Sequence, residues 1–247
     1  MAVWRVKDEP GKEPKDWKVT HYSTIGTAEP FVHQLINEMP RIVDFGQIME
    51  PQHAAVKEAI GIVAIEGLMP ALNSLQKIRS AQADLPEMDR RQLFDEFGRT
   101  LWVAYKGLFP LAVERIGFNI GFLFQNDGNF RKCLDQFQAA HPEPQVPRVF
   151  GDYLRQQREG WQNTFSSWRN DCLEHPGLAG CEGFASMYNP AQAEALFEAA
   201  WNTIVVTLAV LLQAKMWPGW RLVEIPVATR NSVVPDRFRF ERIPASA

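Results

Sequence analysis

The chain has 247 residues, of which 46% are hydrophobic and 22% are charged. These proportions are typical of a globular protein with a sizeable core, and they exclude a disordered chain or a fibre. The formal net charge of -3 excludes a basic field over the whole molecule, so any contact with nucleic acid must be local.

The N-terminal residues and the cysteines indicate where the protein resides. Residues 1–18 alternate charges and prolines, and they lack an apolar segment of signal-peptide length. The three cysteines, Cys133, Cys172 and Cys181, are an odd number without a paired Cys-x-x-Cys spacing, which favours a reducing compartment over a disulfide scaffold. We therefore expect a cytoplasmic protein.

The first predicted elements are a short strand and two long helical regions. Residues 1–50 form a partly polar lead-in with a strand-like stretch at 3–6. From residue 51 to 78, and again from 89 to 125, apolar residues recur at steps of three and four, which predicts amphipathic helices. Pro70 and Pro110 should kink or break these helices.

Two more helices are predicted in the middle of the chain. Residues 126–129 are a turn cluster, and 130–140 can form a short helix. A longer helix is predicted over 148–174, where a seam of core residues is spaced by four, three and four: Trp161, Phe165, Trp168 and Cys172.

The final helix is predicted at 191–216 and is apolar almost all round, as expected in the centre of a bundle. Its uncharged stretch, 199–214, is shorter than the roughly 20 residues that cross a bilayer, so we expect no membrane partner. Residues 220–225 and 237–242 are strand-like and favour a β-hairpin or an edge extension. The prediction is an all-α helical bundle (51–216) with a lead-in (1–50) and a small β-like C-terminal extension (217–247).

The residues with the clearest chemical potential lie at the predicted end of the 148–174 helix. Arg169, Asn170 and His175 are followed by Pro176. On an unbroken helix Arg169 and His175 would be turned about 240° apart. Because a residue before proline avoids the α conformation, the helix should end near Glu174, and His175 can then approach Arg169. The guanidinium would bind a phosphate while the imidazole transfers a proton, which is chemistry suited to RNA cleavage without a metal or other cofactor.

Arg169, Asn170 and His175 resemble the signature of the HEPN family: an arginine, a polar residue, a few variable residues and a histidine before the last helix of a bundle. The resemblance covers residues 51–216. It implies a homodimer in which two motifs face one cleft, and a metal-independent endoribonuclease of toxin-antitoxin or antiviral systems, with RNA as substrate and an antitoxin protein as a further partner.

Structural interpretations of the same residues stay open. Arg169 can pair with Glu174, His175 can cap the helix end, and Asn170 can bond to backbone. The protein would then be a non-catalytic helical interaction or adaptor protein. Cys172, His175 and Cys181 lack a fourth ligand for zinc, so no metal site is predicted.

Overall fold

A computed structural model describes residues 2–7, 18–22, 61–81, 85–142, 145–174, 179–216, 220–224, 228 and 238–242. Most of these residues are helical, as the apolar periodicity predicts. We number seven α-helices in chain order: α1 (Met69–Ser80), α2 (Glu87–Trp102), α3 (Phe109–Arg115), α4 (Asp127–Ala140), α5 (Arg148–Gln157), α6 (Asn163–Trp168) and α7 (Pro190–Met216).

Helical turns of other types join or extend several α-helices. Four are π-helical, with hydrogen bonds that reach five residues along the chain instead of four: Ile62–Leu68, Val103–Leu108, Arg158–Gln162 and Arg169–Glu174. Two segments are 3-10 helical: Gly121–Phe124 and Ala179–Met187. Residues 148–174 are therefore one helical run that changes its winding three times, from α to π, back to α and again to π.

The chain stays helical across both prolines that the sequence marked as helix breakers. Pro70 and Pro110 each lie in the first turn of an α-helix, where the missing N–H is tolerated. A π-helical turn directly precedes each of these helices. Its extra residue lets the backbone pass the proline ring, so of the predicted kink or break, the break does not occur and the winding changes locally instead.

Helix α4 begins three residues earlier than the sequence pattern indicated. Asn126 lies just before it in extended conformation, and its side-chain oxygen accepts a hydrogen bond from the backbone N–H of Asn129 at 3.0 Å. Asparagine is among the strongest residues at this position because it satisfies an N–H that the helix leaves free. The residues interpreted as a turn thus start the helix.

Helix α7 lies in the centre of the bundle and contacts α1, α2, α3 and α5. Its inner residues include Phe197, Trp201 and Ile204, each fully buried. The expectation that it is apolar almost all round is not borne out, since Gln192 and Lys215 are exposed and Glu194 accepts a hydrogen bond from Arg79 at 2.8 Å. Among the helices of the described residues, none has the combination of length and apolar character needed to cross a membrane.

In the described part of the chain, four short strands form two separate antiparallel pairs. Strand β1 (Ala2–Lys7) pairs with β2 (Lys18–Tyr22), and its register shifts between Arg5 and Lys7. Strand β3 (Trp220–Glu224) pairs with β4 (Phe238–Arg242), with Leu222 opposite Phe240. The helix that precedes β3, α7, also contacts this strand.

Candidate functional site

Arg169 and Asn170 begin the π-helical turn Arg169–Glu174, which ends the long helical run from Arg148. The inner side of this turn is apolar: Cys172 and Leu173 are buried, as is Trp168 directly before it. Core packing therefore fixes one side of the turn and leaves Arg169 on the other side, with 21% of its side chain exposed.

Tight packing against α2 anchors this turn. Gly98 of α2 faces Trp168 and Leu173 so closely that a Cβ at this position would come within 2.8 Å of both side chains. Only glycine lets the two helices approach to this distance. The Arg99 guanidinium, one residue further along α2, donates a hydrogen bond to the Leu173 carbonyl at 3.2 Å. This bond satisfies a carbonyl group near the end of the helical run.

The Arg169 guanidinium has three neighbours. Its Nη1 donates to Asn170 Oδ1 at 2.8 Å, Nη2 forms an ion pair with the Glu174 carboxylate, and Cζ lies 5.2 Å from the centre of the Trp102 ring. In a π-helical turn, residues five positions apart lie nearly above one another, which explains why Glu174 reaches Arg169. The pairing that the sequence left open as a structural role is therefore formed.

Partial burial lowers the pKa of the Arg169 guanidinium, because leaving water disfavours its charged form. Arginine nevertheless remains protonated in proteins at neutral pH. Arg169 is thus a fixed positive charge, held between an aromatic face and a carboxylate, that can offer two parallel N–H groups to an anion only when Glu174 gives up its contact.

Trp102, Lys106 and Arg99 also belong to this site, although the sequence analysis did not single them out. Lys106 Nζ lies 5.3 Å from the centre of the same Trp102 ring that Arg169 faces. Arg99, Trp102 and Lys106 are spaced by three and four residues, which places them along one side of a helix. That spacing within the predicted helix 89–125 was the feature of the sequence from which these three residues could have been predicted to share a surface.

A second polar contact lies further towards the start of α2. The Tyr188 hydroxyl donates a hydrogen bond to Asp95 Oδ1 at 3.2 Å, and Arg91 lies 5.1 Å from the centre of the Tyr188 ring. Burial raises the pKa of the Asp95 carboxyl, while the Tyr188 hydrogen bond and the nearby Arg91 and Arg99 partly offset that effect. Asp95 is a half-buried acid whose hydrogen bond with Tyr188 links α2 to the segment before α7.

His175, the predicted proton-transfer residue, lies outside the described residues. The side chain of Cys181 does too, whereas Cys172 is buried. Within the described ranges between 61 and 216, no group of three His, Cys, Asp or Glu side chains is arranged to hold a metal ion. The geometry of the Arg169 and His175 pair stays a prediction.

A cleft of about 560 Å³ lies between the end of α4 and the start of α5. Its charged lining includes Asp135, Asp152, Arg148 and Arg155. Arg155 pairs with Asp152 at 2.7 Å, so the charges of these two residues are already matched. The cleft adjoins Arg148, at the opposite end of the helical run from Arg169, and we do not assign it to the site of Arg169.

Comparisons of the chain with protein-family models, with curated proteins and with solved structures give no match.

Proposed function

We propose that this protein is a metal-independent endoribonuclease of HEPN type, in which Arg169, Asn170 and His175 form the active site. The observation that carries the proposal is the position of Arg169 and Asn170. Their side chains are joined by a hydrogen bond of 2.8 Å at the end of a helical run whose next residue is His175. A guanidinium can stabilise the charge on a phosphate and an imidazole can transfer a proton, and these are the two tasks in phosphodiester cleavage.

In the proposed reaction the RNA itself supplies the nucleophile. The 2'-oxygen forms a bond to the adjacent phosphorus, and the bond from phosphorus to the 5'-oxygen of the next nucleotide breaks. His175 takes the proton of the 2'-hydroxyl or gives one to the leaving 5'-oxygen, and water carries the other of these two protons. Arg169 stabilises the charge on the non-bridging oxygens. The products are a 2',3'-cyclic phosphate and a 5'-hydroxyl, and DNA is not cleaved because it lacks the attacking group.

Glu174 sets a condition on this reaction. Its carboxylate pairs with the face of Arg169 that a phosphate would use, so substrate has to displace it. Glu174 is 43% exposed, and an ion pair this accessible to water contributes only about 0.2 to 1 kcal/mol. The phosphate diester therefore competes with a weak intramolecular partner.

The second candidate is a non-catalytic helical interaction protein. The specific observation in its favour is that Glu174, Asn170 and Trp102 already surround the Arg169 guanidinium. In this alternative those contacts stabilise the end of the helical run, and the surface of the bundle binds a partner protein.

Cleavage of single-stranded RNA in the presence of a chelator distinguishes the two candidates. Replacing Arg169 or His175 by alanine should lower the rate by about 100-fold or more, since each removes a group that acts in the transition state. Arg131→Ala is the control, because Arg131 is an exposed arginine of α4 and should leave the rate unchanged. Equal rates for all four proteins, or no cleavage by the wild type, would favour the interaction protein.

The proposal includes a homodimer in which two motifs share one cleft, acting in the cytoplasm in toxin-antitoxin or antiviral defence and restrained there by an antitoxin protein. Light scattering measures the dimer directly as twice the mass of the chain. Toxicity on expression that Arg169→Ala abolishes would support the defence role, and toxicity that both alanine variants retain would contradict it.

A further inference from the structure

Two cations from different helical runs lie near one aromatic ring beside the motif. Lys106 comes from the π-helical turn after α2, and Arg169 comes from the turn that ends the 148–174 run. Both lie within 5.3 Å of the centre of the Trp102 ring. The electrons of an indole ring attract a positive charge near its face. Trp102 therefore attracts both Lys106 and Arg169 despite their mutual repulsion.

The rest of the structure fixes Trp102 itself. Its ring packs edge to face against Phe165 at 5.2 Å and against Phe124 at 6.3 Å between ring centres. Trp102 is half-buried, whereas Lys106 is exposed. The ring is therefore a fixed support with an exposed cation, Lys106, on the outside and a partly buried one, Arg169, at the motif.

Around the Trp102 ring, positive charges outnumber negative ones. Glu174 pairs with Arg169, but Lys106 forms no ion pair within the part of the chain that the structure describes. Arg99 contributes another positive charge on the same side of α2. Its hydrogen bond to a carbonyl oxygen does not neutralise this charge, and the nearby Asp95 carboxyl offsets part of it. A local excess of positive charge remains in a molecule whose net charge is -3.

We propose that Lys106 and Trp102 extend the site of Arg169 into a binding surface for single-stranded RNA, in which Lys106 binds a phosphate next to the scissile one. The inference rests on the proposed function and specifies how its substrate is held. The Lys106 ammonium group binds the phosphate backbone of the RNA, and this contact does not depend on the base sequence. Trp102 sets the separation of Lys106 and Arg169. Lys106 takes no part in bond making or breaking.

Binding of a fluorescent single-stranded 2'-O-methyl RNA, measured by anisotropy at several salt concentrations, tests the inference. This RNA cannot be cleaved, because its 2'-oxygen has no proton to lose and is blocked as a nucleophile. Lys106→Met retains an apolar side chain that can cover Trp102 and removes only the charge. We expect Kd to rise about fivefold, as for the loss of roughly one exposed ion pair. The slope of log Kd against log salt should fall by about 0.7, as for one phosphate contact on a single strand.

Two further variants complete the experiment. Lys106→Arg should bind as the wild type does, and Lys132→Met, at an exposed lysine of α4, should leave Kd and slope unchanged. Equal Kd values for Lys106→Met and Lys132→Met would overturn the inference, as would a wild type that does not bind the oligonucleotide. RNA cleavage is measured separately. Binding that depends on Lys106 without cleavage supports the inference and contradicts the proposed nuclease, whereas cleavage with Lys106-independent binding does the reverse.

Discussion

At the scale of single residues, the contacts of Arg169 decide how its chemistry is interpreted. The sequence shows an arginine five positions before a glutamate, and on an α-helix these side chains would diverge. The π-helical winding of Arg169–Glu174 brings them together. The contacts of Arg169 thus fit either a catalytic arginine or an arginine that stabilises the helix. The two roles predict different effects on the cleavage rate when Glu174 is neutralised.

Glu174→Gln should raise the rate of RNA cleavage. Loss of the negative charge frees Arg169 for phosphate, and the value of an exposed ion pair corresponds to a gain of about 1.5- to 5-fold. The rate is measured under single-turnover conditions in chelator. Glu159→Gln, at an exposed glutamate of the Arg158–Gln162 turn, is the control and should have no effect. If Glu174→Gln instead lowers the melting temperature and leaves the rate unchanged, the ion pair is structural and Glu174 does not compete with phosphate for Arg169.

At the scale of elements, the close approach of α2 to the motif turn is the contact that positions the site. The apolar periodicity predicted both helical runs. Of the predicted seam, Phe165, Trp168 and Cys172 are buried, and Trp161 is half-buried against the core. The periodicity did not predict the π-helical turns, because one extra residue in a turn hardly alters a pattern of threes and fours. It also could not show that Gly98 faces Trp168, since that pairing joins residues seventy positions apart.

Alanine at two glycines should change stability in opposite directions. Gly98→Ala places a methyl group within 2.8 Å of Trp168 and Leu173, so it should destabilise the fold by about 1 to 3 kcal/mol despite the better helix propensity of alanine. Gly160→Ala has nothing within 4 Å of the new Cβ and should stabilise by up to about 1 kcal/mol. Urea unfolding followed by circular dichroism measures both. A stabilised Gly98→Ala variant would show that α2 and the motif turn are not in close contact.

At the scale of the whole molecule, a buried arginine joins segments that are distant in sequence. The Arg158 guanidinium donates to the carbonyl oxygens of Leu123 and Gln125 and to Asp127 Oδ1, and it lies 4.6 Å from the centre of the Phe130 ring. The chain from the 3-10 turn to α4 is thus fixed to the long helical run. Gln162, one turn further on, also donates to the Leu123 carbonyl and accepts from Tyr105 at 2.8 Å.

Arg158→Met should therefore destabilise the fold by about 3 kcal/mol or more, because it leaves buried carbonyl groups without charged donors. Arg155→Met is the matched control. Arg155 lies three residues earlier, its side chain is 42% exposed, and it pairs only with exposed Asp152, so its replacement should cost at most about 1 kcal/mol. The free energies of unfolding in urea are compared at neutral pH. Equal losses for the two variants would mean that Arg158 does not join these segments.

The sequence by itself determined the helical class, the positions of most helices and the residues of the motif, because periodicity, caps and short-range chemistry are properties of neighbouring residues. Even at this level, only the backbone conformation showed that Asn126 caps α4 and that the chain stays helical across Pro70 and Pro110. Only the tertiary structure placed Trp102 and Lys106 beside Arg169 and turned Glu174 towards it. These contacts depend on how two helical runs cross and wind, and no local pattern in the chain specifies a crossing.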